Sequence, residues 1–239
     1  MRRYIINTLA RILTVYLLFA MTFFGGRSVA PQVIGDSIEA IIVGYFLWTM
    51  AVGAYSSVAS DISTEAQWGT LEQVYMSPFG FGQVLMAKVF VNLVVSVLFG
   101  LIVLLMMLAT VDVTLRIDIF TIAPVVLLSL LPVIGIGFIF GGLAIVYKRV
   151  ENVFSIVRFV FIALVAVPID QFPLMKFAPL SLGSYLIRRS AEAGVGLWSF
   201  PTDLLVILLI QSVVYFGSGF LVYHWLQDLA RRRGVLGHY

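Results

Sequence analysis

Six apolar runs, most of them free of charge, occupy the greater part of this chain and leave it few ways to fold. Ala40–Ser60 is 21 uncharged residues, Val89–Val111 is 23, Ile119–Tyr147 is 29 and Leu204–Gln227 is 24. Asn152–Ile169 is 18 residues with Arg158 inside it, and Ile12–Gly26 is 15, reaching spanning length only if Tyr4–Arg11 joins it. A helix that crosses a bilayer needs about 20 predominantly apolar residues. The runs therefore predict an all-α integral membrane protein with six transmembrane helices, near 5–26, 38–60, 86–110, 120–147, 152–170 and 203–227, in a single domain over 1–239.

Composition agrees with this. Hydrophobic residues make up 61% and charged ones 11%, against about 45–50% and roughly a quarter in soluble domains. There are no cysteines, which excludes disulfides, thiolate metal sites and cysteine nucleophiles.

Basic residues in the connections set the orientation. With six spans, one side holds Arg2, Arg3, Arg11, Lys88, Lys148, Arg149, Arg158 and Arg231–Arg233. The other holds Arg27, Arg116, Lys176, Arg188 and Arg189. Ten against five places both termini in the cytoplasm of a cell (inner or plasma) membrane. The first run has a second reading, since Arg2 and Arg3, an apolar core and Ser28-Val29-Ala30 before Pro31 also describe a cleavable signal peptide. Cleavage would leave five spans.

The connection at 61–83 falls on the cytoplasmic side, and it is strongly patterned. Thr64-x-x-Gln67 and Thr70-x-x-Gln73 each fit a capping box that starts a helix. Gly69 separates the two starts, and Pro78 stops the second. Leu71, Val74 and Tyr75 fall on one face, and Glu72 lies in the first turn, where the helix dipole favours a carboxylate.

Glu65-x-x-x-Gly69-Thr70-Leu71-Glu72-x-x-x-x-Ser77-Pro78 resembles the cytoplasmic motif of ABC-2 type transporter permeases, the membrane subunits of ATP-driven exporters. The resemblance implies that this segment is a coupling helix docking on a separate ABC ATPase subunit, through Glu65, Trp68, Gly69, Thr70, Leu71, Glu72, Tyr75, Ser77 and Pro78. It also implies a translocation pathway built by two such permeases, a homodimer or a pair with a related chain, with ATP–Mg bound by the partner ATPase.

Residues 170–201 are too broken for a span, with Pro173, Pro179, Pro201, Gly183, Gly194 and Gly196. They are also too apolar for a solvated loop, with Phe172, Leu174, Phe177 and Trp198. They read as interfacial or re-entrant outer helices between spans 5 and 6. Pro179-Leu180 followed by Arg188 resembles the same family there, while Arg188 and Arg189 also fit simple snorkelling to lipid headgroups.

Catalytic groups are not evident. The chain has no Gly-x-x-x-x-Gly-Lys-Ser/Thr loop to cradle phosphates. His224 and His238 have no metal-site spacing, and no Ser/His/Asp set is apparent. The expectation is a non-enzyme with no catalytic residue, no metal and no cofactor of its own, contacting membrane lipid and no nucleic acid. Arg158 is read as snorkelling, with the mouth of a pathway as the alternative. Gly137-x-x-x-Gly141, with Gly135 and Gly142, reads as a close-packing signal. A secondary transporter or channel without an ATPase, and a non-transporting assembly or lipid-modifying protein, remain the other readings.

Overall fold

The structure, a computed structural model, describes residues 2–29, 31–67, 80–111, 113, 115–116, 118–147 and 151–232. They form α1 (Arg2–Val29), α2 (Pro31–Gln67), α3 (Gly80–Thr110), α4 (Ile119–Tyr147), α5 (Glu151–Ala166), α6 (Ser181–Ala193) and α7 (Thr202–Arg232). Short 3-10 turns occur at Pro173–Phe177 and Leu197–Ser199, and there is no strand among the described residues. Leu9–Val29, Ile38–Ile62, Gln83–Thr110, Ile119–Tyr147 and Thr202–Ala230 are long and apolar enough to cross a membrane. The chain is thus a multi-pass membrane protein, and helix is the form in which an isolated segment satisfies its own backbone in lipid.

Side-chain contacts fix the direction of each long helix. Met50 lies against Gly100 and Gly53 against Ser96, so α2 and α3 are antiparallel. Tyr55 and Val58 meet Gly137, and Ile62 meets Gly141, so α2 and α4 are parallel. On α4, Leu128, Gly135 and Gly142 pair in order with Ser212, Tyr215 and Tyr223 of α7, which is therefore parallel too. Tyr55 faces Phe154 while Gly44 faces Val165, so α5 is antiparallel to α2. In α1, Arg11 sits over Phe99 and Tyr16 bonds Thr110, which makes it parallel to α3. Direction alternates from α1 through α5 and again at α7.

Glycine carries the central contacts. A Cβ at Gly135 would strike the Tyr215 carbonyl, and one at Gly219 would strike the Gly135 carbonyl, so α4 and α7 meet backbone to backbone. Gly137 and Gly141 make room for the Val58 and Ile62 side chains of α2, and Gly142 for Leu226 of α7. The expected close-packing signal thus divides between two faces of one helix. Pro124 and Pro132 lie inside α4 without ending it. Pro132 has no N–H for the Leu128 carbonyl, and the Ser212 hydroxyl of α7 donates to that oxygen at 2.6 Å.

Two expectations change. Thr64-x-x-Gln67 does not start a helix: α2 continues through it to Gln67. Its last turns are held because Ile62 is buried against Gly141 and Asn92 of α3 donates to the Asp61 carboxylate at 2.9 Å. The expected span at 152–170 stops at Ala166, where the following Pro168 disfavours helix at Val167. At 16 residues, α5 is about 24 Å long, short of the roughly 30 Å hydrocarbon core. Tyr4–Arg11 does join the first run, as part of one helix from Arg2 to Val29.

Candidate functional site

Two segments were singled out by sequence, and they lie at opposite ends of the bundle. At the end that carries the termini, α2 closes with Glu65 in its last turn. Trp68, Gly69, Thr70, Leu71, Glu72, Tyr75, Ser77 and Pro78 lie outside the described residues, as does the second capping box from Thr70. The chain is described again at Gly80, where α3 begins. The Asp61–Asn92 hydrogen bond joins α2 and α3 just inside this connection.

At the other end, Pro179 and Leu180 are buried at the start of α6. Leu180 has φ 70° and ψ −31°, a conformation costly for a side chain with a Cβ. Its side chain is fully enclosed and its carbonyl accepts the Ser184 amide at 2.8 Å, which together hold the turn. The turn aims α6 back into the bundle. The last four carbonyls of any helix lack partners within it. For α5 two of them are met here, Leu164 by the Ser181 hydroxyl and Val165 by the Ser184 hydroxyl, each at 2.8 Å. Gly183 allows the approach, because a Cβ there would collide with Ser129 of α4. The far end of α6 is tied by the Arg116 amide donating to the Ala191 carbonyl at 3.1 Å. Arg188 forms an i,i+4 ion pair with Glu192 at 3.7 Å, and Arg189 lies over the Tyr185 ring.

A third place emerges from the packing of α2 on α5. The Trp48 indole N–H donates to the Arg158 carbonyl at 3.1 Å. One to two turns further along α2, the fully buried Tyr55 ring meets Phe161 and Phe154 edge-on at 5.4 and 6.2 Å. Arg158 stands between those two phenylalanines on α5. Its Nε and the Tyr55 hydroxyl are both buried with no hydrogen-bond partner among the described residues. Arg158 is only half-buried as a whole, which agrees with a snorkelling side chain whose stem and Nε lie inside, and an ionisable group inside a membrane helix is also a functional candidate. Arg158 was visible in the sequence as the one charge within a run. Tyr55 was not, because a tyrosine among apolar residues gives no sign of whether its hydroxyl finds a partner.

The arrangement offers hydrogen-bond donors and positive charge in an apolar seam, suited to holding a polar or anionic group in passing. No group of three or more His, Asp or Glu side chains placed to hold a metal occurs among the described residues. Comparison with protein-family models, with curated proteins and with solved structures returned no match.

Proposed function

We propose that the chain is the permease subunit of an ABC-2 type ATP-driven exporter, crossing a cell membrane six times with both termini in the cytoplasm. The observation that carries this reading is the parallel run of α4 and α7. Parallel neighbours need a return crossing between them, and α5 with the segment after it supplies one. A re-entrant outer helix between the fifth and sixth crossings is the arrangement expected from the resemblance at Pro179-Leu180 and Arg188, and the turn of α6 back into the bundle supports it.

In this reading the connection between α2 and α3 is the coupling segment. Glu65, Trp68, Gly69, Thr70, Leu71, Glu72, Tyr75, Ser77 and Pro78 meet a separate ATPase, which holds ATP–Mg. ATP binding closes the ATPase pair, and the motion enters the permease through α2 and α3, which Asp61 and Asn92 join. Two permease copies enclose the pathway. The chain itself contributes positioning and gating, with no covalent step.

Glu72→Lys tests the reading. Reversing an interface charge costs several kcal/mol, so the variant should reach the membrane in normal amount yet lose ATPase co-purification and ATP-dependent export. Asp228→Lys, exposed on the same side and outside the segment, serves as the control. Full ATPase association and export by Glu72→Lys would remove the coupling role.

A further inference from the structure

A cavity of about 250 Å³ opens on the side of the bundle, at the end away from the termini. Its floor is formed by Phe46 of α2, Leu104 of α3, Val126 of α4 and Ile187 of α6, and no polar atom lines it. Leu101, Ile119 and Leu127 form an exposed rim. The surface around that rim on α3 is also apolar and exposed at Leu98, Ile102 and Leu105, so the opening faces lipid. Wholly apolar cavities of roughly 150 Å³ stay empty of water and accept hydrocarbon. This one is larger and open to a hydrocarbon solvent, and a flexible alkyl chain suits its shape.

Arg116 follows the lining residue Leu115 at the outer end of the cavity. Leu115 and Ala191 both line the cavity. Between them the Arg116 amide donates to the Ala191 carbonyl, and its exposed side chain packs over Gly194, 3.0 Å from where a Cβ would stand. A guanidinium offers paired donors that match a phosphate. The seat therefore joins an alkyl slot with a phosphate-binding group above it. The outer end of α6, fixed at Arg116, closes one wall of the slot.

We propose that this cavity is a binding site for one phospholipid, with an acyl chain between α2, α3, α4 and α6 and its phosphate on Arg116. Anionic headgroups are favoured, since their net charge is not cancelled by a choline or ethanolamine. The site is independent of the ATPase reading, because it lies away from the coupling connection and requires no partner protein.

The test uses the purified full-length chain, exchanged into nanodiscs of equal parts phosphatidylglycerol and phosphatidylcholine, then released and weighed intact by native mass spectrometry. Wild type should retain one phospholipid per chain, mainly phosphatidylglycerol. Ala123→Phe places a ring in the cavity mouth from an exposed position of α4, and should remove the bound lipid. Ala163→Phe, on an exposed face of α5 outside the cavity, should keep it. Arg116→Gln should retain a lipid but lower the preference for phosphatidylglycerol by about fivefold, the worth of one basic residue at a lipid surface. Retention of the lipid by Ala123→Phe, absence of any bound lipid in wild type, or an unchanged headgroup preference in Arg116→Gln would each overturn the proposal.

Discussion

Ser212 supplies the hydrogen bond that Pro132 withholds: its hydroxyl lies 2.6 Å from the Leu128 carbonyl, which would otherwise accept the amide of residue 132. The hydroxyl has a single proton, which it shares with the Leu208 carbonyl on its own helix, 2.5 Å away. A proline in one helix is thus matched by a serine in another, some 80 residues later in the chain and on a parallel neighbour.

Ser212→Ala should lower stability by about 0.5–1 kcal/mol, typical of interhelical hydrogen bonds in membranes. In a Pro132→Ala background the amide is restored, and the same change should cost less. Thermal unfolding of the four proteins in one detergent forms the double-mutant cycle. Equal costs in both backgrounds would show that the hydroxyl does not answer the proline.

Gly135 and Gly217 make a paired comparison. Gly135→Ala pushes a methyl into the Tyr215 carbonyl, whereas nothing lies within 4 Å of a Cβ at Gly217. The first should destabilise by about 1–3 kcal/mol through overpacking. The second should be neutral or stabilise by up to roughly 1 kcal/mol through helix propensity. Melting midpoints that shift in the same direction for both would contradict the backbone contact.

At Leu180 the usual ranking of substitutions should invert. Leu180→Ala loses the buried side chain and keeps the unfavourable φ of 70°. Leu180→Gly loses the same packing but relieves the backbone, by about 1–2 kcal/mol. Glycine should therefore be the more stable variant, as read by unfolding in detergent. Alanine above glycine would mean that the turn relaxes once the leucine is gone.

Tyr55→Phe removes a buried hydroxyl that has no hydrogen-bond partner among the described residues. Stability should be unchanged or rise by about 1 kcal/mol, since an unsatisfied group is lost. If Tyr55 and Arg158 hold a passing polar group, export should fall in the same variant. Unimpaired export would leave the pair a packing feature alone.

Cysteine labelling in intact cells reads the crossings directly, because the native chain has no cysteine. Trp198→Cys, 92% exposed beyond α6, should react with an impermeant thiol reagent. Gln83→Cys and Asp228→Cys, exposed at the terminus-bearing end, should be protected. Protection at Trp198 together with reaction at Asp228 would deny α5 its crossing.

The long helices were legible because burial in lipid requires nothing beyond length and apolarity, and Ile119–Tyr147 was found to its last residue. The two prolines inside that run were ambiguous in sequence, since the compensating Ser212 is distant in the chain. Thr64 misled for a similar reason. Its capping pattern is local, whereas the contacts of Ile62 and Asp61 that extend α2 come from α4 and α3. The outer segment was recognised as irregular from Pro173, Pro179 and Pro201. That Ser181 and Ser184 would cap α5 required knowing where α6 turns. The glycines announced close approach, but their division between α2 and α7 depends on helix rotation, which spacing alone does not fix.

The glycine seams have a mechanical consequence. Where side chains separate two helices, rotamer changes can absorb a push, and where backbones touch there is little to compress. Backbone meets backbone at Gly135 and Gly219, between α4 and α7, whereas the side chains of Val58 and Ile62 fill the approach of α2 to Gly137 and Gly141, so the stiff pair is α4 with α7. A displacement of α4 is passed to α7 with little loss, while the side chains between α2 and α4 leave room for adjustment. The compliant parts are then α1 and α5, whose outer faces are clad in exposed Leu, Phe and Ile side chains that slide against fluid lipid.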